Sequence, residues 1–209
     1  ESGADFTFNT ALIDVQVENG RINHAVCAAK SGIFAVAASI FIDATGDGDL
    51  AAMAGAPFEF GDAEGLAQAA TLCSLWSGID WSRKKIWTDG AALEQAFNDG
   101  VFSLPDPGLP GILHTRADSG WGNVGHVYGV ASRDERTVTR AMIEGRKLAL
   151  NYEHYYRNYV PGCENARMLW TSQTLGVRES RRILGDYVLN TDDFTRQAVF
   201  EDEIGRYGY

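Results

Sequence analysis

Cysteine, proline and positive charge are scarce in this chain, and long apolar runs are missing. The three cysteines, Cys27, Cys73 and Cys163, are odd in number, widely spaced and never paired as C-x-x-C, which excludes a disulfide framework and a zinc or dithiol redox motif. They read as small buried or partly buried thiols. No stretch approaches the roughly 20 apolar residues of a membrane span, and the amino end carries no signal-peptide pattern. The 18 Lys and Arg against 28 Asp and Glu give a formal charge of -10, so the surface repels phosphate backbones and nucleic acid is not expected as a partner.

What is present is the composition of a packed body. With 45% hydrophobic, 11% aromatic and 22% charged residues, the 209 residues can form one large domain or two intertwined ones. Residues 6–17 alternate and favour strand, Asn19-Gly20 offers a tight hairpin turn into 21–28, and Ser31-Gly32 offers another before 33–42. A three-stranded meander is expected.

After Ala56-Pro57 the character changes. Residues 58–60 and 70–77 read as strands, and 81–98 contain a helix with Ala91, Leu93, Ala96 and Phe97 toward a core. Pro105, Pro107 and Pro110 make 103–110 an irregular surface connector. Residues 111–116 and 124–130 flank the turn-rich 117–123, and symmetric pairing sets His114 across from His126. With no third ligand nearby, that pair is expected to be solvated or hydrogen-bonded, not metal-bound.

Ser132-Arg-Asp-Glu135 has the spacing of a capping box, for a helix running to about Tyr159 and stopped by Pro161 and Gly162. Val138, Met142, Gly145, Leu148, Tyr152, Tyr155 and Tyr159 recur at helical spacing as its core face. Its tyrosine-rich end reads as packing with wet hydroxyl tips. Residues 167–173 and 182–189 read as two strands joined by a turn at Gly176, and Thr191 caps a last helix.

The segment Ile40-Phe-Ile-Asp-Ala-Thr-Gly-Asp-Gly-Asp-Leu50 compresses three signals. Ile40, Phe41 and Ile42 read as the end of a buried strand, Gly46 and Gly48 allow close backbone approach, and Asp47 or Asp49 caps a helix begun by 50–53. Backbone N–H groups at such a helix start favour a phosphate or another anion. Asp43, Thr45, Asp47 and Gly48 also fit positions one, three, five and six of a calcium loop. Position twelve is Ala54, without a carboxylate, and a strand precedes Asp43, so calcium fails and no metal is expected.

Two long words, FIDATGDGDLAAMAGAPFEFGD at Phe41–Asp62 and LGVRESRRILGDYVLNTDD at Leu175–Asp193, with TRAMIEGRKLA and YVPGCENAR between them, carry a resemblance. They resemble the FAD-dependent oxidoreductase family whose flavin domain has the glutathione-reductase-like fold. The resemblance implies an α/β chain of α+β character. Residues 1–56 would be part of an FAD-binding domain, and 57–209 an inserted substrate domain of mostly antiparallel sheet plus helices. FAD is the implied cofactor, with the backbone of Ala44, Thr45 and Gly46 against it. Asp47 would lie nearby and meet hydroxyls, water or helix N–H groups, since it repels phosphate. The implied reaction is hydride transfer between the flavin and a small-molecule substrate.

The charge cluster Arg178-Glu-Ser-Arg-Arg182 reads by itself either as a solvated turn with weak ion pairs or as an anion-facing group. The resemblance favours the second, with Arg178 and Arg181 handling substrate and Glu179 orienting one of them. The chain also departs from the family. It lacks the Gly-x-Gly-x-x-Gly turn that holds the FAD pyrophosphate and the later glycine- and aspartate-containing strand. It is therefore expected to be the interior of a longer protein, holding part of a flavin site and inactive alone. The alternative, from a different class, is a non-catalytic binding module that keeps the scaffold without FAD.

Overall fold

Asn19 and Gly20 both take positive φ (52° and 74°), the left-handed pair that lets a two-residue turn follow the twist of its strands. They join β1 (Ala11–Glu18) to β2 (Arg21–Ala29), which pairs on its other edge with β3 (Gly32–Ala37). The three antiparallel strands form the expected meander, although β1 begins at Ala11 and not at Phe6. The expected continuation of the third strand into the following motif does not occur. β3 ends at Ala37, and Ile40 and Ile42 are 79% and 87% exposed. No ladder among the described residues includes 38–45, and backbone without a neighbouring strand has no sheet hydrogen bonds to make.

The computed structural model describes residues 3–85, 90–104 and 111–205. After α1 (Asp49–Met53) and β4 (Phe58–Phe60), the single strand expected over 70–77 is two, β5 (Ala70–Thr71) and β6 (Ser74–Ser77). α2 (Gly90–Asn98) buries Leu93 and Ala96 and partly buries Phe97, while Ala91 is exposed. The connector expected over 103–110 lies largely outside the described residues. Then follow β7 (Ile112–Arg116), β8 (Ser119–Gly122), β9 (His126–Val127), α3 (Glu135–Tyr159), β10 (Arg167–Thr171), β11 (Arg181–Ile183) and α4 (Thr191–Thr195). Helices and antiparallel sheets are mixed along the chain, an α+β architecture.

The hairpin after residue 111 is tighter than its sequence suggests. β7 pairs with β8 through a turn at Ala117 and Asp118, with Ala117 at φ 41°, so His114 faces Gly120 and not His126. Gly120 and Gly122 look like loop residues, but they lie inside β8 because side chains press on them. A Cβ on Gly120 would meet Ile112 Cγ2 at 2.3 Å, and one on Gly122 would meet Trp76 Nε1 at 3.0 Å. β8 continues into the sheet of order β10-β6-β8-β7, while β9 pairs with β5. The two strands expected on either side of Gly176 do not pair with each other. β10 joins β6, β11 joins β4, and Gly176 exchanges hydrogen bonds with Thr71.

α3 starts two residues later than the capping box requires, at Glu135 instead of Arg133. Its N-cap is Asp134, whose side chain accepts from the Arg136 N–H at 2.9 Å, and Ser132 Oγ is buried without a hydrogen-bond partner among the described residues. The helix ends at Tyr159, followed by Pro161 and Gly162 at φ 85°. Its buried face is Ala141, Gly145, Leu148, Ala149, Tyr152, Tyr155 and Tyr156, with Val138, Met142 and Tyr159 only partly covered. The tyrosine-rich end is packing, as expected, but drier: Tyr152, Tyr155 and Tyr156 are fully buried, and Trp76 meets Tyr156 edge-on at 5.2 Å. α4 is capped by Asn190, not Thr191: Asn190 and Asp193 bond reciprocally as a capping box.

The chain divides into two compact units, one of Glu1–Glu59 with Arg181–Tyr209 and the other of Phe60–Ser180. Both hydrophobic clusters lie in the second, one around Trp76, Ile112 and the α3 tyrosines, the other around Ala70, Val127, Ala141 and Leu148.

Candidate functional site

In the first unit the turn at 43–49 is organised by Asp43. One carboxylate oxygen accepts the Thr45 N–H (3.0 Å) and hydroxyl (2.8 Å), and the other accepts the Ala51 N–H (2.9 Å). Thr45 Oγ1 in turn accepts the Asp49 N–H at 2.9 Å. The cap of α1 is thus supplied by Asp43 and Thr45, and neither Asp47 nor Asp49 serves as the expected cap. The N-cap residue, Gly48, has no side chain to give. Partial burial pushes the Asp43 carboxyl upward, but the bonds from Ala51, Thr45 and Leu50 outweigh it and hold the group below the ordinary carboxylate value.

Ala44, Thr45 and Gly46 are exposed, and Gly46 adopts φ 82°. A Cβ built on Gly46 meets nothing within 4 Å, so open space lies against this backbone. On Gly48, by contrast, a Cβ would strike Ile183 at 2.9 Å, so that glycine is needed for packing. Arg181 fastens the far side of the turn. Its Nη1 donates to the Asp47 carbonyl at 3.0 Å and to Asp49 Oδ1 at 2.5 Å, and its guanidinium lies 5.5 Å from the Phe58 ring centre. Arg181 Nε is buried without a hydrogen-bond partner among the described residues, a donor of the kind found where a bound group or water completes the set. Exposed backbone, small side chains and open space at Gly46 fit the approach of a nucleotide cofactor.

The RESRR word divides between the units: Arg181 and Arg182 belong to the first, Arg178 and Glu179 to the second. Arg178 Nη2 lies 3.3 Å from Thr71 Oγ1, from Asn123 Oδ1 and from His126 Nε2. Asn123 Oδ1 also faces the Cys73 thiol at 3.9 Å, and burial pushes that thiol's pKa up against the opposing pull of Arg178. Glu179 accepts the Gln68 N–H at 2.9 Å. His114, separated from His126, stacks on Trp81 with ring centres 4.5 Å apart.

From sequence Asp43 stands out only as position one of the calcium loop that fails, and Thr71 and Asn123 do not stand out at all. For Asp43 a signal existed, since Asp-Ala-Thr is an Asx-turn pattern; Thr71 and Asn123 meet Arg178 only through strand pairing. The three cysteines are free thiols, Cys163 buried and the others partly so. Burial raises Cys163 to about 11, beside the buried Lys84, whose own pKa burial lowers. Among the described residues no group of three or more His, Cys, Asp or Glu is placed to hold a metal ion, and no helix is long and apolar enough to cross a membrane.

No curated protein and no solved structure matches the chain. A family model described as FAD dependent oxidoreductase matches residues 1–209. The match runs over the whole sequence, and its words include both the Asp43 turn and the arginines that follow Val177. The chain therefore belongs to the FAD-dependent oxidoreductase family, whose cofactor is FAD.

Proposed function

We propose that the protein oxidises or reduces a small molecule by hydride transfer, with residues 1–56 as part of its FAD-binding domain and residues 57–209 as its substrate domain. FAD, when bound, supplies the hydride acceptor or donor chemistry. The backbone of Ala44, Thr45 and Gly46 would lie against the cofactor, with Asp47 beside it. Asp43 keeps that backbone in shape without competing for the ligand, because its oxygens are spent on Thr45 and Ala51.

Arg181 fixes Asp47 and Asp49 and so sets the edge of the turn. Arg178 takes the substrate-facing role, and Glu179, tied to Gln68, restrains the neighbouring backbone. The observation that carries this reading is the exposed, glycine-opened turn at 44–46 in a chain of a flavin family. The test is flavin uptake: purified full-length protein should be yellow, or become so with added FAD, and bleach with a reducing substrate found in a small-molecule screen. Colourless protein that takes up no FAD would sink the reading. Arg178→Ala should slow flavin reduction with FAD retained, whereas unchanged kinetics would return that arginine to a structural role.

A further inference from the structure

Gly176 and Thr71 exchange two backbone hydrogen bonds, at 2.8 and 3.0 Å, and a Cβ on Gly176 would lie 2.8 Å from the Thr71 carbonyl oxygen. The backbone is pinned here, two residues before Arg178. The arginine's Nη2 then meets three acceptors, Thr71 Oγ1, Asn123 Oδ1 and His126 Nε2, each at 3.3 Å. These contacts are long for a charged donor, which prefers about 2.7–2.9 Å. Nη1 and Nε meet no acceptor among the described residues, and the side chain is exposed. Arginine only donates, so His126 must offer the Nε2 lone pair and carry its proton on Nδ1.

A guanidinium oriented at one nitrogen and still short of acceptors is a receptor for a planar oxyanion. Its Nη1–Nη2 edge has two parallel N–H bonds, one from the unmet Nη1 and one drawn from the three long Nη2 contacts. That spacing matches a carboxylate. The adjacent Glu179 and the formal charge of -10 weigh against a dianion such as phosphate. We propose that Arg178 binds the carboxylate of a small monoanionic substrate through this edge, with Asn123 and His126 as positioning residues. The proposal rests on the substrate-facing role given to Arg178 above.

The experiment titrates acetate and benzoate, and separately inorganic phosphate, into the isotope-labelled full chain without flavin, at constant ionic strength. Arg178 Nε–Hε and the His126 ring nitrogens report binding. Saturable shifts with the carboxylates are expected, and His126 should show the Nδ1–H tautomer. Affinity should fall about tenfold in Arg178→Lys, which keeps the charge but loses the parallel N–H pair. It should fall similarly in Asn123→Asp, whose carboxylate takes the guanidinium for itself, with the His126 ring reporting in both variants. Shifts that do not saturate, affinity unchanged in both variants, or phosphate binding more tightly than the carboxylates would overturn the proposal. Because no flavin is present, this result is independent of whether the protein takes up FAD.

Discussion

Asp43 Oδ2 accepts the Ala51 N–H at 2.9 Å, closing a nine-residue turn with one side chain. The carboxyl's pKa lies below its ordinary value in the folded protein, so its contribution is present above that ordinary value and is lost as pH falls through the depressed one. The protection factors of the Thr45 and Ala51 amides, taken relative to their intrinsic exchange rates at each pH, should therefore fall on acidification through the low carboxylate range. In Asp43→Asn the Ala51 amide should exchange faster already at neutral pH, and the acid-dependent step should vanish. An acid-dependent step of equal size in that variant would assign the titration elsewhere.

The start of α3 offers a contrast between two neighbours. Asp134→Ala removes the acceptor of the Arg136 N–H and should cost about 1 kcal/mol in urea unfolding. Ser132→Ala deletes a buried hydroxyl that has no partner among the described residues, and should be neutral or slightly stabilising. The opposite order of effects would restore Ser132 as the cap.

Gly120→Ala places a methyl where Ile112 Cγ2 and Trp81 Cζ2 already stand, at 2.3 and 2.8 Å from the new Cβ. Overpacking of this kind costs roughly 1–3 kcal/mol. Adding Ile112→Ala should make the second substitution cost less in the Gly120→Ala background than alone, a coupling that a double-mutant cycle measures. Strict additivity would mean that the strand shifts instead of clashing.

The Arg181–Asp49 pair is partly shielded, with side chains 16% and 37% exposed. Arg181→Ala should destabilise the protein by about 1–3 kcal/mol, because it also strips a donor from the Asp47 carbonyl. Arg181→Lys keeps one hydrogen bond and the charge, so it should recover part of that loss. If Arg181→Ala leaves the midpoint unchanged while altering FAD affinity, the residue serves the ligand alone.

Elements whose signals are local were legible. Asn19-Gly20 gave away its hairpin because the turn demands positive φ, and the long spacing of Gly145, Leu148 and Tyr152 marked α3. What failed was the reading of small and apolar residues whose meaning depends on distant neighbours. Gly120 and Gly122 passed for loop because nothing in the sequence tells that Ile112 and Trp76 crowd them. Ile40 and Ile42 passed for a buried strand, although a strand needs a partner and the meander stops at Ala37. At the candidate site the arginine-rich word was visible, but its splitting toward Asp49 on one hand and toward Asn123 and His126 on the other was not. Those partners are more than fifty residues away along the chain.

The pairing of β4 with β11 has a kinetic meaning. The hairpins of β1, β2 and β3 close over a few residues and are expected to form early, whereas β4 and β11 must find each other across the intervening residues 61–180. Closure entropy rises only logarithmically with loop length, so a compact intervening unit lightens a search that an open chain would make slowly. The first unit thus contains contacts of both kinds, some formed within a single turn of chain and others awaiting a long-range encounter. The turn that carries Asp47 and Asp49 gains its Arg181 clasp only with the later event.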